Sequence, residues 1–233
     1  MPGPVGRRQK AVLAYQLSRD MAAAGEIAQA LRELKAAVDL DPEFVPAAAA
    51  LAGALCRESR HRKAVTVLEK SWRLRPHPDL VEPYWVAAEA EDGLARVKAS
   101  ERLAEIHPEH VESRLAIALA ALDAQLWGQA REQLTYLLND GDDLAEARVC
   151  RLMARLEEAE HGDLTKAHDW MTRASLAQSD AAWICDACGN AVAEWSVLCG
   201  QCESFDSYVW RAPAHVVDLP GLAKTRALIA ASD

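Results

Sequence analysis

Positive charge is scarce in this sequence: 26 Lys and Arg stand against 35 Asp and Glu, a formal net charge of -9 with a pI near 5.3. Nucleic-acid binding draws its affinity from clustered Lys and Arg that neutralise phosphates, so this balance argues against a nucleic-acid partner. Long hydrophobic runs are lacking too. The longest, from Phe44 to Cys56, is too short to cross a hydrocarbon core of about 30 Å, and no membrane span is expected in this chain. The basic start at Arg7 and Arg8 leads into an amphipathic pattern holding Arg19, Asp20 and Glu26, not into an apolar stretch, so no signal peptide is expected and a cytoplasmic protein is. Phe and Tyr are few, at two and four, and Gly and Pro are sparse. Ala, Leu, Glu and Arg dominate instead, which predicts an all-α protein. There is no Gly-rich phosphate loop, no His-Glu-x-x-His run and no Gly-x-Ser-x-Gly elbow, which shifts the expectation from catalysis to binding.

What the sequence does contain is a period of 34 residues. At that offset Leu17 pairs with Leu51, Met21 with Leu55, Ala30 with Ala64, Leu34 with Leu68 and Pro42 with Pro76. Each unit reads as two short amphipathic helices: a small residue sits where the helices cross, and a Pro ends the second because it cannot donate the helical N–H. Gly25 supplies the turn of the first unit. Ala118, Ala130 and Leu134 continue the register, and Gly162, Ala167 and Ala174 close it after an insertion at 139–143. The pattern resembles the tetratricopeptide repeat family, in about five units at 11–44, 45–78, 79–110, 111–144 and 145–180, following an N-terminal extension at 1–10. The third is degenerate, because His77-Pro78-Asp79 and His107-Pro108-Glu109 are near copies only 30 residues apart and Arg96 stands where Ala is expected. A short or kinked helix pair is predicted there.

In such α-solenoids the first helices of the pairs line a concave groove. Carried over position by position, the groove residues are Tyr15, Arg19, Arg57, Trp85, Leu115, Leu119, Leu122, Leu152 and Leu156. This predicts an apolar groove with two arginines near one end, suited to an amphipathic helix or to a flat apolar ligand bearing carboxylates. Ala49 and Gly53 occupy positions where some members of the family carry a Lys and Asn clamp for a chaperone's C-terminal carboxylate, so chaperone-tail binding is not expected.

The strongest chemical signal lies at 181–212, which holds four of the six Cys and three of the seven Trp and reads as a separate unit. Cys185, Cys188, Cys199 and Cys202 form two Cys-x-x-Cys pairs. Two residues between thiolates let both sulfurs of a tight turn reach one ion at about 2.3 Å, Gly189 and Gly200 let the backbone bend, and two such knuckles complete a tetrahedron. Residues 191–196 suit a short hairpin strand, and Trp183, Phe205, Tyr208 and Trp210 are placed to cover the site. Structural zinc, iron in a rubredoxin-like site, disulfides and a redox pair are all compatible with the cysteines; sulfur-only closed coordination favours structural zinc. Cys56 and Cys150 fall in repeats and read as small core residues. His107 and His110 flank Pro108 in a turn and read as structural. The tail at 213–233 is expected to be partly helical from about Leu222.

A narrower match rests on His77-Pro78-Asp79-Leu80, on His107 through Arg131, and on Trp183-Ile184-Cys185 through Trp210-Arg211. These segments resemble the C-terminal part of the HemY family, bacterial inner-membrane proteins associated with late haem biosynthesis, whose members usually begin with a membrane anchor. The resemblance implies a non-catalytic scaffold that binds haem-pathway enzymes or a porphyrin at the cytoplasmic face of the inner membrane, although this sequence carries no membrane helix. Lipopolysaccharide-assembly regulators similar to LapB also join such repeats to a rubredoxin-like zinc knuckle, presenting an enzyme to a membrane protease. Repeat count and tail phrasing favour HemY. A rubredoxin-like electron carrier using iron is the remaining reading.

Overall fold

A computed structural model of the protein describes residues 4–140 and 146–213. Its helices form five successive pairs: α1 (Pro4–Ala23) with α2 (Ile27–Leu40), α3 (Val45–Arg57) with α4 (His61–Leu74), α5 (Val81–Ala87) with α6 (Gly93–Ala104), α7 (Val111–Asp123) with α8 (Trp127–Asp140), and α9 (Glu146–His161) with α10 (Leu164–Leu176). This is a tetratricopeptide-type α-solenoid. The crossing residues Ala64, Ala118 and Ala130 are wholly buried, and Leu34, Leu68 and Leu134 form the packing row beside them. α1 begins at Pro4, so residues 4–10, set apart above as an extension, are continuous with the first helix. The insertion at 139–143 lies largely, and the tail beyond 213 wholly, outside the described residues.

The turns inside the pairs share one backbone feature. A residue with left-handed backbone follows the first helix: Gly25 at φ +83°, Ser59 at +56°, Glu89 at +54°, Gln125 at +57° and Gly162 at +64°. In the first four pairs the amide of the next residue then reaches back five positions, as Glu26 to Met21, Arg60 to Leu55, Ala90 to Trp85 and Leu126 to Ala121, at 2.8–2.9 Å; in the fifth Asp163 reaches back six, to Glu157, at 3.2 Å. This closes the orphan carbonyls of the helix end. The third pair is indeed irregular: a 3-10 turn at Pro78–Leu80 precedes α5, which spans only seven residues. Tyr84 and Trp85 fill its core, and Trp85 donates from Nε1 to Ser100 Oγ at 2.9 Å.

The chain then forms a small antiparallel sheet of β1 (Ala182–Cys185), β2 (Ala191–Val192) and β3 (Tyr208–Arg211), ordered β2-β1-β3. Trp183 faces Val192 on one side and Trp210 on the other. This sheet is not the separate unit that its composition suggests. It folds back onto the turns joining the first three helix pairs and shares their core. Trp195 is buried edge-on against Phe44 (ring centroids 4.8 Å apart) and Tyr15 (5.7 Å). Trp183 stacks on the buried His77 at 5.2 Å and donates from Nε1 to Asp79, while Trp210 tilts onto the same imidazole at 4.4 Å. Arg8 of α1 completes the contact. Its guanidinium grips Asp206 through two nitrogens, reaches Asp41 at 3.1 Å and lies 4.0 Å from the centroid of Phe44.

Candidate metal centre and binding cleft

The sequence folds Cys185, Cys188, Cys199 and Cys202 into two knuckles related by an offset of 14. Cys185 N bonds Asn190 O and Cys199 N bonds Ser204 O; Gly189 N bonds Cys185 O and Glu203 N bonds Cys199 O. The left-handed residue closing each knuckle is Gly189 (φ +77°) in the first and Glu203 (φ +58°) in the second. Gly200, expected to supply the second bend, does not adopt a positive φ; Glu203 takes that part. All four sulfurs lie within 4.8 Å of one another, with Cys185 to Cys202 at 3.7 Å and Cys188 to Cys199 at 3.6 Å. A tetrahedral ion with about 2.3 Å metal–sulfur bonds separates its sulfurs by about 3.8 Å, so the spacing fits a metal ion.

The surroundings fit one as well. Tyr208 donates its hydroxyl to Cys199 Sγ at 3.5 Å, and Ser207 Oγ lies 3.2 Å from Cys185 Sγ. The Tyr208 hydrogen bond, aided by the Gln201 and Cys202 amides, holds the Cys199 thiol down at about 5. Ser207, with the Cys188 and Ala187 amides, lowers Cys185. Cys188 goes the other way. The Asn190 amide favours its thiolate, but burial and three neighbouring sulfurs outweigh that and push it up to about 12. Four sulfurs so close cannot all ionise alone, and a bound cation removes that conflict. Of the aromatics expected to cover the centre, Tyr208 does so, whereas Trp183 and Trp210 face His77 and Phe205 is exposed beside Leu198.

The predicted groove residues separate into three places. Tyr15, Arg19 and Arg57 come together around a cavity of about 630 Å³ between α1, α2 and α3, floored by Ala30, Ala49 and Ala54 among others. Arg57 folds across Gly53, where an added Cβ would stand 3.7 Å from its Nη1. Neither arginine is ion-paired with a described residue. Burial raises the Tyr15 phenol, with Arg19 acting against it, so the ring meets the cleft uncharged. Leu115, Leu119 and Leu152 line a smaller hollow of about 280 Å³ with Arg148 and Arg151, but those guanidiniums are engaged by Glu112 and Asp180. Trp85, Leu122 and Leu156 are 7%, 3% and 0% exposed and belong chiefly to the core, although Leu122 also edges a hollow with Arg96 and Arg155. Short α5 turns Trp85 inward toward Ser100.

The two cysteines outside the knuckles and the pair His107 and His110 have structural places. Cys150 is buried and Cys56 is half-buried. His107 Nε2 lies 2.9 Å from the Arg73 carbonyl, and His110 Nδ1 accepts the Glu112 amide. The residues that pattern-reading missed are Arg8, Phe44, His77, Trp195 and Asp206. The one available signal was aromatic or His side chains at turn positions, where a solvated repeat has polar ones. Among the described residues no helix is long and apolar enough to cross a membrane.

Residues 21–82 match the family model described as tetratricopeptide repeat. Among curated proteins the chain is similar to the probable magnetosome protein Mms48 of Magnetospirillum gryphiswaldense, at 34% identity over 193 residues. That match covers 81% of this chain and 42% of the relative, so the chain spans less than half of that protein's length. Among solved structures it is similar to MamA from Desulfovibrio magneticus RS-1 (TM-score 0.41, 19% identity, 72% of this chain and 94% of that one). It is also similar to YrrB, a TPR protein with an unusual peptide-binding site (TM-score 0.40, 15% identity, 71% and 85%).

Proposed function

We propose that the protein is a non-catalytic adaptor whose cleft between α1, α2 and α3 holds an acidic amphipathic helical segment of a partner protein, and whose C-terminal sheet carries structural zinc. The observation that carries this reading is the pairing of an alanine-floored cavity of about 630 Å³ with two guanidiniums, Arg19 and Arg57, at its rim. An apolar helix face fills the floor, and a Glu or Asp beside that face meets the arginines in charge-assisted hydrogen bonds. A closed set of four sulfurs that leaves no position for water or substrate supports a structural ion, and zinc is the ion we propose. The curated relative is a probable magnetosome protein, and the comparisons do not support an attachment to haem biosynthesis.

The test is a fluorescein-labelled amphipathic peptide of Leu, Ala and Glu, titrated against the full chain by anisotropy. Arg19→Ala/Arg57→Ala is expected to weaken it about tenfold, near the ~1.5 kcal/mol of one charged hydrogen bond. Equal binding by both proteins removes the arginines from the role. The same cleft suits the propionates of a porphyrin, which keeps the tetrapyrrole reading as the second one; saturable protoporphyrin binding lost in the double variant would replace the peptide. Elemental analysis of the aerobically purified protein is expected to give one zinc per chain. Red protein containing iron would point to electron transfer instead.

A further inference from the structure

We propose that metal binding by the four cysteines controls the cleft, with Trp195 as the connecting part. This rests on the cleft being the partner site. Trp195 lies on the span between the two Cys-x-x-Cys pairs, so its position depends on both knuckles being closed around one ion. Its ring is only 7% exposed, wedged edge-on against Phe44 at the start of α3 and Tyr15 of α1. Tyr15 and Phe44 also meet each other edge-on at 5.4 Å, which makes a three-ring cluster between the sheet and two helices. Tyr15 is at the same time a wall of the cleft, one turn before Arg19. The ion therefore acts on the cleft without touching it, through one indole and one phenol.

The sheet cannot hold that position unaided. Its three strands span four, two and four residues, too few to bury a core of their own, so its place rests on docking to the helices and on closure of the knuckles around the ion. A second tie runs beside the wedge: Arg8, seven residues before Tyr15 on α1, grips Asp206 between the second knuckle and β3. When the ion leaves, both ties loosen together and the wall carrying Tyr15 and Arg19 loses its outer support, while α7 to α10, which these two ties do not reach, keep theirs. Thermodynamic reciprocity adds a corollary: if the ion strengthens peptide binding, bound peptide strengthens ion retention by the same factor.

The experiment uses the full chain loaded with zinc, the same chain after chelation, and zinc-loaded Trp195→Ala. Two quantities are read on each: amide hydrogen exchange by mass spectrometry, and anisotropy of the labelled Leu/Ala/Glu peptide. Faster exchange across residues 8–20 is expected in both the chelated chain and Trp195→Ala, with α7 to α10 unchanged. Peptide affinity should fall about fivefold or more in both, with zinc content preserved in the variant. Trp195→Phe, which keeps an edge for Tyr15 and Phe44, should restore most of the affinity and keeps the test usable if the alanine variant folds poorly. Exchange at 8–20 identical in all three proteins overturns the proposal, as does faster exchange spread evenly over the chain. If the zinc-loaded wild type binds no peptide, the cleft assignment fails, and the exchange data still decide whether the ion holds α1.

Discussion

Ser59, Glu89 and Gln125 hold left-handed backbone at the turns where Gly25 and Gly162 do so without a side chain. For an L residue with a Cβ that conformation costs roughly 1–2 kcal/mol. Part of the cost is recovered because glycine loses more chain entropy on folding, so the net gain from substitution is smaller. Ser59→Gly, Glu89→Gly and Gln125→Gly are each expected to raise stability by about 0.5–1 kcal/mol, read as a higher urea midpoint at unchanged slope. Gly25→Ala should lose a similar amount although an added Cβ there meets nothing within 4 Å, since the strain is in the backbone. A loss at Ser59→Gly matching that at Gly25→Ala would mean that the side chain at 59 contributes something the turn geometry does not show.

At the scale of elements, α6 starts hard against the end of α7. A Cβ added at Gly93 would stand 2.8 Å from Ala124 Cα and 2.9 Å from its Cβ, and backbone cannot step aside as a flexible side chain can. Gly93→Ala is therefore expected to cost about 1–3 kcal/mol, despite alanine's better helix propensity, by denaturant unfolding. A stabilised variant would mean that the two helices slide apart freely. The helix pairs themselves were legible in sequence because packing repeats their burial every 34 residues: Ala30 with Ala64, and Leu34 with Leu68, serve the same contacts in successive pairs. The four cysteines were legible because each knuckle is local. The groove was read less well. One residue along a helix turns a side chain by about 100°, so a small error in phase exchanges groove for core, and Trp85, Leu122 and Leu156 are buried on that account. The docking of the sheet was not legible at all, since Trp195 and Phe44 share no spacing and no pattern that links them.

For the molecule as a whole, His77 is where solenoid and sheet press on one titratable ring. It is 1% exposed between Trp183 and Trp210, and burial, with Arg75 and Arg148 nearby, pushes its imidazole down to about 3. The unfolded chain protonates this residue near 6.5, so the stability it contributes is complete above that pH and is lost as pH falls toward 3. Asp79, raised by burial against the hydrogen bond from Trp183, acts in the opposite sense. Between pH 7 and 5.5 the net loss from His77 is expected to be about 1 kcal/mol, and His77→Phe should flatten the urea midpoint over that window. An equally steep profile in the variant would assign the slope to other groups. Finally, the pair of Arg8 with Asp206 joins residues 198 apart in the chain. At a ribosomal rate of about 5–20 residues per second, Arg8 leaves the tunnel roughly 10–40 seconds before its partner does. Through that interval Phe44 and Tyr15 stand uncovered on a nascent chain whose repeats can otherwise fold one after another, so the helix pair made earliest among those described waits longest for its cover.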